Sequence, residues 1–279
     1  MILKANAKIN LTLDILSKRA DGYHNIRSVM QSVSLCDTVS VEKSDKISVL
    51  CKELKALPQE KNTAYTAAKH FFEFTKISGG AKIEIIKSIP SLAGLGGGSA
   101  DAAAVITALD KLYDTRLSQN DIITVASLVG ADVPFCTVGG TALCEGTGEI
   151  ITPIKPLCDC GIVIVKLGNK LSTGYMYSMA DGNLSDGTPT DNMINAINSG
   201  NLKEISKNLS NGFMPFADCE SALGVLGGYA PLGVSVSGSG PCVFGIFEDK
   251  DRANRVHNEI ADKTECYYCT PANCGVIFE

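Results

Sequence analysis

Tryptophan is absent from the 279 residues, aromatic side chains make up only 6% of them, and histidine occurs three times. A surface that grips single strands by stacking bases needs aromatics interleaved with Lys and Arg, and the sequence contains no such run. Its formal net charge of -5 would also repel a phosphate backbone. Nucleic acid is therefore not an expected partner, although an acidic whole is compatible with a local basic site for one or two phosphates. No segment approaches the unbroken apolar length that spans a bilayer. The opening residues Met1-Ile2-Leu3-Lys4-Ala5-Asn6 lack the basic segment and apolar stretch of a secretory leader. No membrane partner is expected, and the chain is expected in the cytoplasm.

Cysteine is plentiful, with eleven residues, and in a reducing compartment these read as thiols. Cys266-Tyr-Tyr-Cys269, with His257 before it and Cys274 beyond, has zinc-like spacing at one end but no second well-spaced pair, so no metal site is expected. Hydrophobic residues at 45% and charged residues at 20% suit a chain that buries a real core, the opposite of a disordered balance. Single cores rarely grow beyond about 250 residues, so this length favours two lobes.

From Leu3 to Ile15 the odd positions are apolar, while Lys4, Asn6, Lys8, Asn10, Thr12 and Asp14 fill the even ones. This period of two predicts a strand with one buried face, on which Lys8 and Asn10 share the other side about 7 Å apart. Solvent exposure is the expectation for that polar face. A polar loop at residues 17–24 precedes strand-like stretches over 26–41. Asn62 is placed to cap a helix with an apolar side of Ala64, Ala67, Ala68 and Phe71. Residues 81–89 read as a strand running into a glycine-rich segment, and Ala102, Val105, Ile106 and Leu109 then recur at helical spacing, with Ser99 as the expected cap. Ser118 and Asp121 form a capping-box pattern, with Gly130 as the stop. Asp132 falls in the turn Gly130-Ala-Asp-Val-Pro134 before a strand-like run. Two prolines at 153 and 156 suggest a boundary. Beyond it, residues 190–198, 201–209 and 251–263 read as helices, and 233–237 and 242–247 as strands joined by Gly238-Ser239-Gly240.

The segment at residues 90–100 joins a strand to a helix through Gly94, Gly96, Gly97 and Gly98. Successive backbone N–H groups and a helix N-terminus make a site for anionic phosphates, and glycines keep side chains out of the approach and permit positive torsions. The segment lacks the Gly-Lys-Ser/Thr ending of the P-loop, and Ser99 stands where the dinucleotide fingerprint wants glycine or alanine.

Pro90-Ser-Leu-Ala-Gly-Leu-Gly-Gly-Gly-Ser99-Ala100-Asp101 resembles the ATP loop of the GHMP kinases, named for galactokinase, homoserine kinase, mevalonate kinase and phosphomevalonate kinase. Four further stretches resemble the branch of that family whose acceptor carries a cytidine diphosphate. They are Ala7-Lys8-Ile9-Asn10-Leu11, Arg19-Ala-Asp-Gly-Tyr-His24, Gly130-Ala-Asp-Val-Pro134 and Ser237-Gly-Ser-Gly-Pro-Cys242. The motifs span nearly the whole chain, and the stretch around Tyr23-His24 is the most specific. Relatives commonly carry two serines after the glycines, whereas Ser99 is followed here by Ala100.

The resemblance implies an α+β fold of two lobes. Residues 1–155 would form a lobe like domain 2 of ribosomal protein S5, and residues 156–279 a ferredoxin-like lobe, with both substrates in the cleft between them. It implies ATP as co-substrate with Mg2+, and a small-molecule cytidine diphosphate sugar alcohol as acceptor, handled by a monomer or weak homodimer. Lys8 and Asp132 match the family's catalytic pair. ATP contacts are implied for Pro90, Ser91, Leu92, Ala93, Gly94, Leu95, Gly96, Gly97, Gly98, Ser99 and Ala100, and for Asn62, whose own reading is a helix cap. Acceptor contacts are implied for Asn10, Tyr23, His24 and Tyr177, with Tyr175 a near competitor. Gly238, Ser239 and Gly240 would close over the phosphates. Chemistry agrees with the pair: an attacking hydroxyl needs a proton acceptor such as Asp132, and a cation such as Lys8 stabilises charge on the transferring group. Kinases for homoserine or mevalonate share this pattern, but their acceptors carry no base for Tyr23 to stack on. A nucleotide sensor without catalysis would have no need of both Lys8 and Asp132.

Overall fold

The computed structural model describes residues 1–54 and 58–279. Strands β1 (Ile2–Asn10), β2 (Thr12–Lys18) and β3 (His24–Ser44) begin a mixed sheet in which β3 pairs with both β1 and β2. β4 (Ser48–Cys51), β5 (Gly80–Ile86), β6 (Thr141–Gly146) and β7 (Ile150–Pro153) extend it. β3 serves two partners on each edge: β2 then β1 on one side, β6 over residues 26–31 then β5 over 38–44 on the other. The change from β6 to β5 falls at a register shift opposite Asn6 and Ala7, where β3 carries extra residues.

Helices α1 (Thr63–Thr75), α2 (Gly97–Tyr113) and α4 (Val133–Val138) pack on this sheet, and α3 (Gln119–Ser127) packs on those helices. α2 is the central one, because its alanines at 100, 102, 103, 104 and 108 are fully buried and let it lie close to β1 and β3. The odd residues of β1 and β2 from Leu3 to Ile15 are buried, as their alternation predicts.

The second sheet is antiparallel, in the order β10-β11-β8-β12, built from β8 (Gly161–Val165), β10 (Gly233–Val236), β11 (Val243–Phe247) and β12 (Cys266–Cys269). Between β8 and β10 run α5 (Thr173–Ala180), α6 (Thr188–Ser199), α7 (Leu202–Lys207), the two-residue β9 (Ser210–Asn211) and α8 (Glu220–Gly227); α9 (Lys250–Ala261) and β13 (Val276–Phe278) complete the chain's elements. Two short strands return to the first sheet: β9 pairs parallel with β2, and β13 antiparallel with β1. One apolar cluster joins Ile9 and Leu109 to Ile162, Ile164 and Phe244 of the second sheet, whereas Val163, Val165 and Val243 face α8 and α9 in a cluster of their own. Among the described residues no helix is long and apolar enough to cross a membrane.

Several local expectations need correction. The even face of β1 and β2 is not solvated beyond Lys4: Asn6, Lys8, Asn10, Thr12 and Asp14 are all buried, and α6, Gly238 and the Cys274 carbonyl meet them. Ser99 does not cap α2; the helix begins two residues earlier, at Gly97, after Gly96 in the left-handed region. Of the four loop glycines only Gly94 (φ +79°) and Gly96 (φ +71°) use a positive torsion. The run after Asp132 is the short helix α4 rather than a strand, started by Pro134 in its first turn. α3 carries its capping box but ends at Ser127, ahead of Gly130. Cys266 and Cys269 sit three apart on β12, which sends them to opposite faces, Cys266 toward the α9 cluster and Cys269 into the main core.

Candidate active site

Burying the polar face of β1 obliges each of its side chains to find partners. Lys8 Nζ donates to Asn10 Oδ1 at 2.8 Å, Asn10 Nδ2 donates to Ser28 Oγ at 2.8 Å, and the Gly238 N–H donates to the same Asn10 oxygen at 2.9 Å. Asn10 thus joins the first strand to the loop between β10 and β11. Asp132 lies 3.4 Å from Lys8 Nζ. It occupies the N-cap position of α4 without bonding to that helix through its side chain, so its carboxylate is directed to the cavity.

The glycine-rich loop is fastened on both sides. Lys8 N–H donates to the Leu95 carbonyl at 2.9 Å, and Ser237 Oγ donates to the Gly94 carbonyl at 2.9 Å. A Cβ on Gly94 would lie 2.1 Å from the Ser237 carbonyl oxygen, and one on Gly96 would lie 2.9 Å from Lys8 Cγ. These two glycines are therefore required by close approach as well as by torsion. Ala93, Leu95 and Ala100 turn their side chains into the core, leaving only main chain for a ligand, while Leu92 is 76% exposed with φ +53°. Asn62 caps α1 by accepting from the Ala64 N–H at 2.9 Å, and its neighbour Thr63 donates to the Gly98 carbonyl at 2.7 Å, which sets the start of α1 against the loop.

Beneath the loop lies a charge cluster that sequence reasoning missed. Lys87 Nζ donates to Asp37 Oδ2 and, at 2.7 Å, to Asp101 Oδ2, and all three side chains are less than 10% exposed. Asp37 also accepts the N–H groups of Ser88 and Ile89, fixing the chain as it enters the loop. Burial, with Asp37 nearby, holds the Asp101 carboxyl well above the usual carboxylate range against the pull of Lys87. Burial alone would lower the Lys87 ammonium, but Asp101 and Asp37 hold it above its ordinary value.

A cavity of about 640 Å³ opens between these parts, lined by Lys8, Asn10, Ser99 and Asp132 at one end and Tyr23, His24, Tyr177 and Phe213 at the other. Gly238 and Ser239 border it, as does Lys170, for which the sequence offered no signal. At the aromatic end the His24 ring stacks on Tyr177 with centroids 4.6 Å apart, and Tyr177 meets Phe213 edge-on at 4.9 Å. His24 Nε2 lies 2.6 Å from Asp181 Oδ1. Lys18 and His24 together hold the Asp181 carboxyl below the usual range. Tyr23, by contrast, is 64% exposed and projects from a turn held by its own N–H to Asp21 Oδ1. Tyr175 is exposed and does not line the cavity, which separates it from Tyr177.

One end of the cavity pairs a cation and a carboxylate next to the start of α2, and the other offers rings. Comparison with known proteins gives the family. The family model described as GHMP kinases N terminal domain matches residues 62–140, and the one described as GHMP kinases C terminal matches residues 193–265. A 4-diphosphocytidyl-2-C-methyl-D-erythritol kinase of Caldicellulosiruptor saccharolyticus is 45% identical over 95% of this chain and 97% of its own length. One from Acetivibrio thermocellus is 40% identical over 95% of this chain and 96% of its own. A crystal structure of 4-(cytidine 5'-diphospho)-2C-methyl-D-erythritol kinase superposes with a TM-score of 0.81 at 29% identity, covering 98% of this chain and 99% of that one. Homoserine kinase from Cytophaga hutchinsonii, at TM-score 0.78 and 16% identity over 99% of this chain and 96% of that one, shares the fold. With a family model matched in each half and relatives alike over nearly their whole length, this chain belongs to the GHMP kinase family.

Proposed function

We propose that the chain transfers the terminal phosphoryl group of ATP to the 2-hydroxyl of 4-(cytidine 5'-diphospho)-2-C-methyl-D-erythritol, a step in making isoprenoid precursors. The observation that carries this reading is the near full-length likeness to relatives bearing that name, on a cavity whose ends suit the two tasks. Asp132 accepts the hydroxyl proton as the oxygen attacks, and Lys8, 3.4 Å away, steadies the charge that builds on the transferring group. Main-chain N–H groups of residues 94–99 receive the phosphates at the start of α2. Tyr23 covers one face of the cytosine, with the His24–Tyr177 stack as the neighbouring wall.

Mg2+ would reach such a site on the phosphates of ATP. Among the described residues no group of three His, Cys, Asp or Glu is placed to hold a metal ion, so the fitting arrangement is an ion carried chiefly by the nucleotide, with the Ser99 hydroxyl at the cavity wall as a further oxygen. In this reading residues 1–155 carry the loop and the pair, residues 156–279 close the cleft, and the protein works in the cytoplasm as a monomer or weak homodimer. The test is ATP consumption with the cytidine substrate, homoserine and mevalonate in parallel. Turnover confined to the cytidine substrate is expected; preference for either other acceptor would refute the assignment.

A further inference from the structure

Lys170 stands in the connection between β8 and α5 and borders the same cavity. Its Nζ donates to Ser239 Oγ and, at 2.8 Å, to the Gly240 carbonyl. Both acceptors are neutral. Among the described residues no carboxylate lies within ion-pair distance of it, since Asp132 pairs with Lys8. Burial, and next the positive charge of Lys8, push the Lys170 ammonium down to about 8, with Asp132 only partly offsetting them. A half-buried cation beside another cation, held by neutral oxygens alone, is unfavourable unless an anion joins it. An ammonium has three N–H groups, of which two are occupied here.

The two lysines also grip one loop. Lys8 reaches Gly238 through Asn10, while Lys170 holds the next two residues, Ser239 and Gly240. Counted formally, the centre carries Lys8 and Lys170 against Asp132, an excess of one positive charge facing the phosphate cradle.

The geometry points to Lys170 as a second phosphate-binding cation of the transfer centre, one that contacts the γ-phosphoryl group of bound nucleotide. This rests on the kinase reading given above. During transfer the acceptor oxygen forms its bond to the γ-phosphorus, the bond from that phosphorus to the bridging oxygen breaks, ADP leaves with the electron pair, and the hydroxyl proton passes to Asp132. Lys170 exchanges no proton in this step; it neutralises charge on the group in flight.

The experiment compares wild type, K170Q and K170R. Glutamine keeps N–H donors for Ser239 and Gly240 but carries no charge. K170Q is expected to bind a non-hydrolysable ATP analogue about tenfold or more weakly, as for loss of a charge-assisted contact, while its affinity for ADP, which lacks the γ-phosphate, hardly changes. Its kcat with the cytidine substrate should fall about a hundredfold, and K170R should recover most of both losses. Wild-type affinity of K170Q for the analogue, or an equal loss toward analogue and ADP, would overturn the inference and leave Lys170 a loop fastener. The affinity comparison needs no acceptor. A wild-type protein inert toward the cytidine substrate, with K170Q still losing affinity for the analogue and not for ADP, would therefore remove the acceptor assignment and support Lys170.

Discussion

Asp132 holds a helix-start position without spending its carboxylate on the helix, and that freedom makes it available as a base. Asp132→Asn preserves shape and removes the proposed proton acceptor, so kcat should drop about a hundredfold or more with little change in affinity for either substrate. Single-turnover kinetics beside calorimetric titration distinguish this from a binding defect; near-normal turnover would end the assignment. Tyr23 offers the complementary case. Because the ring is 64% exposed, removing it should cost the fold little. Tyr23→Ala should weaken the cytidine substrate about ten- to a hundredfold, the range of a base–aromatic stack, with ATP affinity unchanged and most of the loss restored by phenylalanine. Weaker ATP binding instead would move Tyr23 to the adenine side. Of the residues that line the cavity, those set in a motif could be named from the sequence. Lys170 could not: its partners stand 69 and 70 positions away, and nothing local marks a lysine between Asn169 and Leu171.

At the scale of elements, the join from β5 to α2 concentrates constraints. Gly96→Ala would place a methyl 2.9 Å from Lys8 Cγ in a backbone with φ +71°. The torsion costs roughly 1–2 kcal/mol for an L residue, a loss that urea denaturation resolves. Since Lys8 is pinned at its far end by Asn10, its stem must shift, and kcat should fall at least tenfold. Unchanged kcat would show that the lysine accommodates the methyl freely. Lys87→Met would leave Asp37 and Asp101 buried without their shared cation, and breaking such a pair costs about 3–5 kcal/mol. The deficit should depend on pH. Asp101 is already held above the usual carboxylate range, and without Lys87 its folded pKa rises further. A carboxyl raised in the folded state favours folding below its unfolded pKa and loses that contribution as pH rises through the folded one. Denaturation at pH 5 should therefore show a smaller deficit than at pH 8; equal deficits would mean that Lys87 does not hold the Asp101 pKa down. Helices α1, α3 and α9 announced themselves through caps and amphipathic spacing. Asp132's helix did not, because six residues of Val-Pro-Phe-Cys-Thr-Val carry no helical period, and β-branched residues mislead toward strand.

For the molecule as a whole, alternation located the buried face of β1 but could not say what would cover its other face. A period of two reports that two faces differ, and only long-range topology decides whether the polar one meets water or a second layer. Here residues 185–190 and the 238–240 loop arrive from far along the chain to satisfy Asp14, Thr12 and Asn10. The three residues of β13 were equally silent, too few to show any period.

β13 carries a consequence for synthesis. β1 is made first, yet its outer edge pairs Leu3 with Phe278 and Ala5 with Val276, and the Asn6 N–H waits for the Gly275 carbonyl. At ribosomal rates of roughly 5–20 residues per second, that edge stays open for tens of seconds while the intervening chain emerges. An open strand edge is a template for the wrong partner. Nascent chains stalled before residue 275 should thus be the aggregation-prone species, and those most in need of a chaperone.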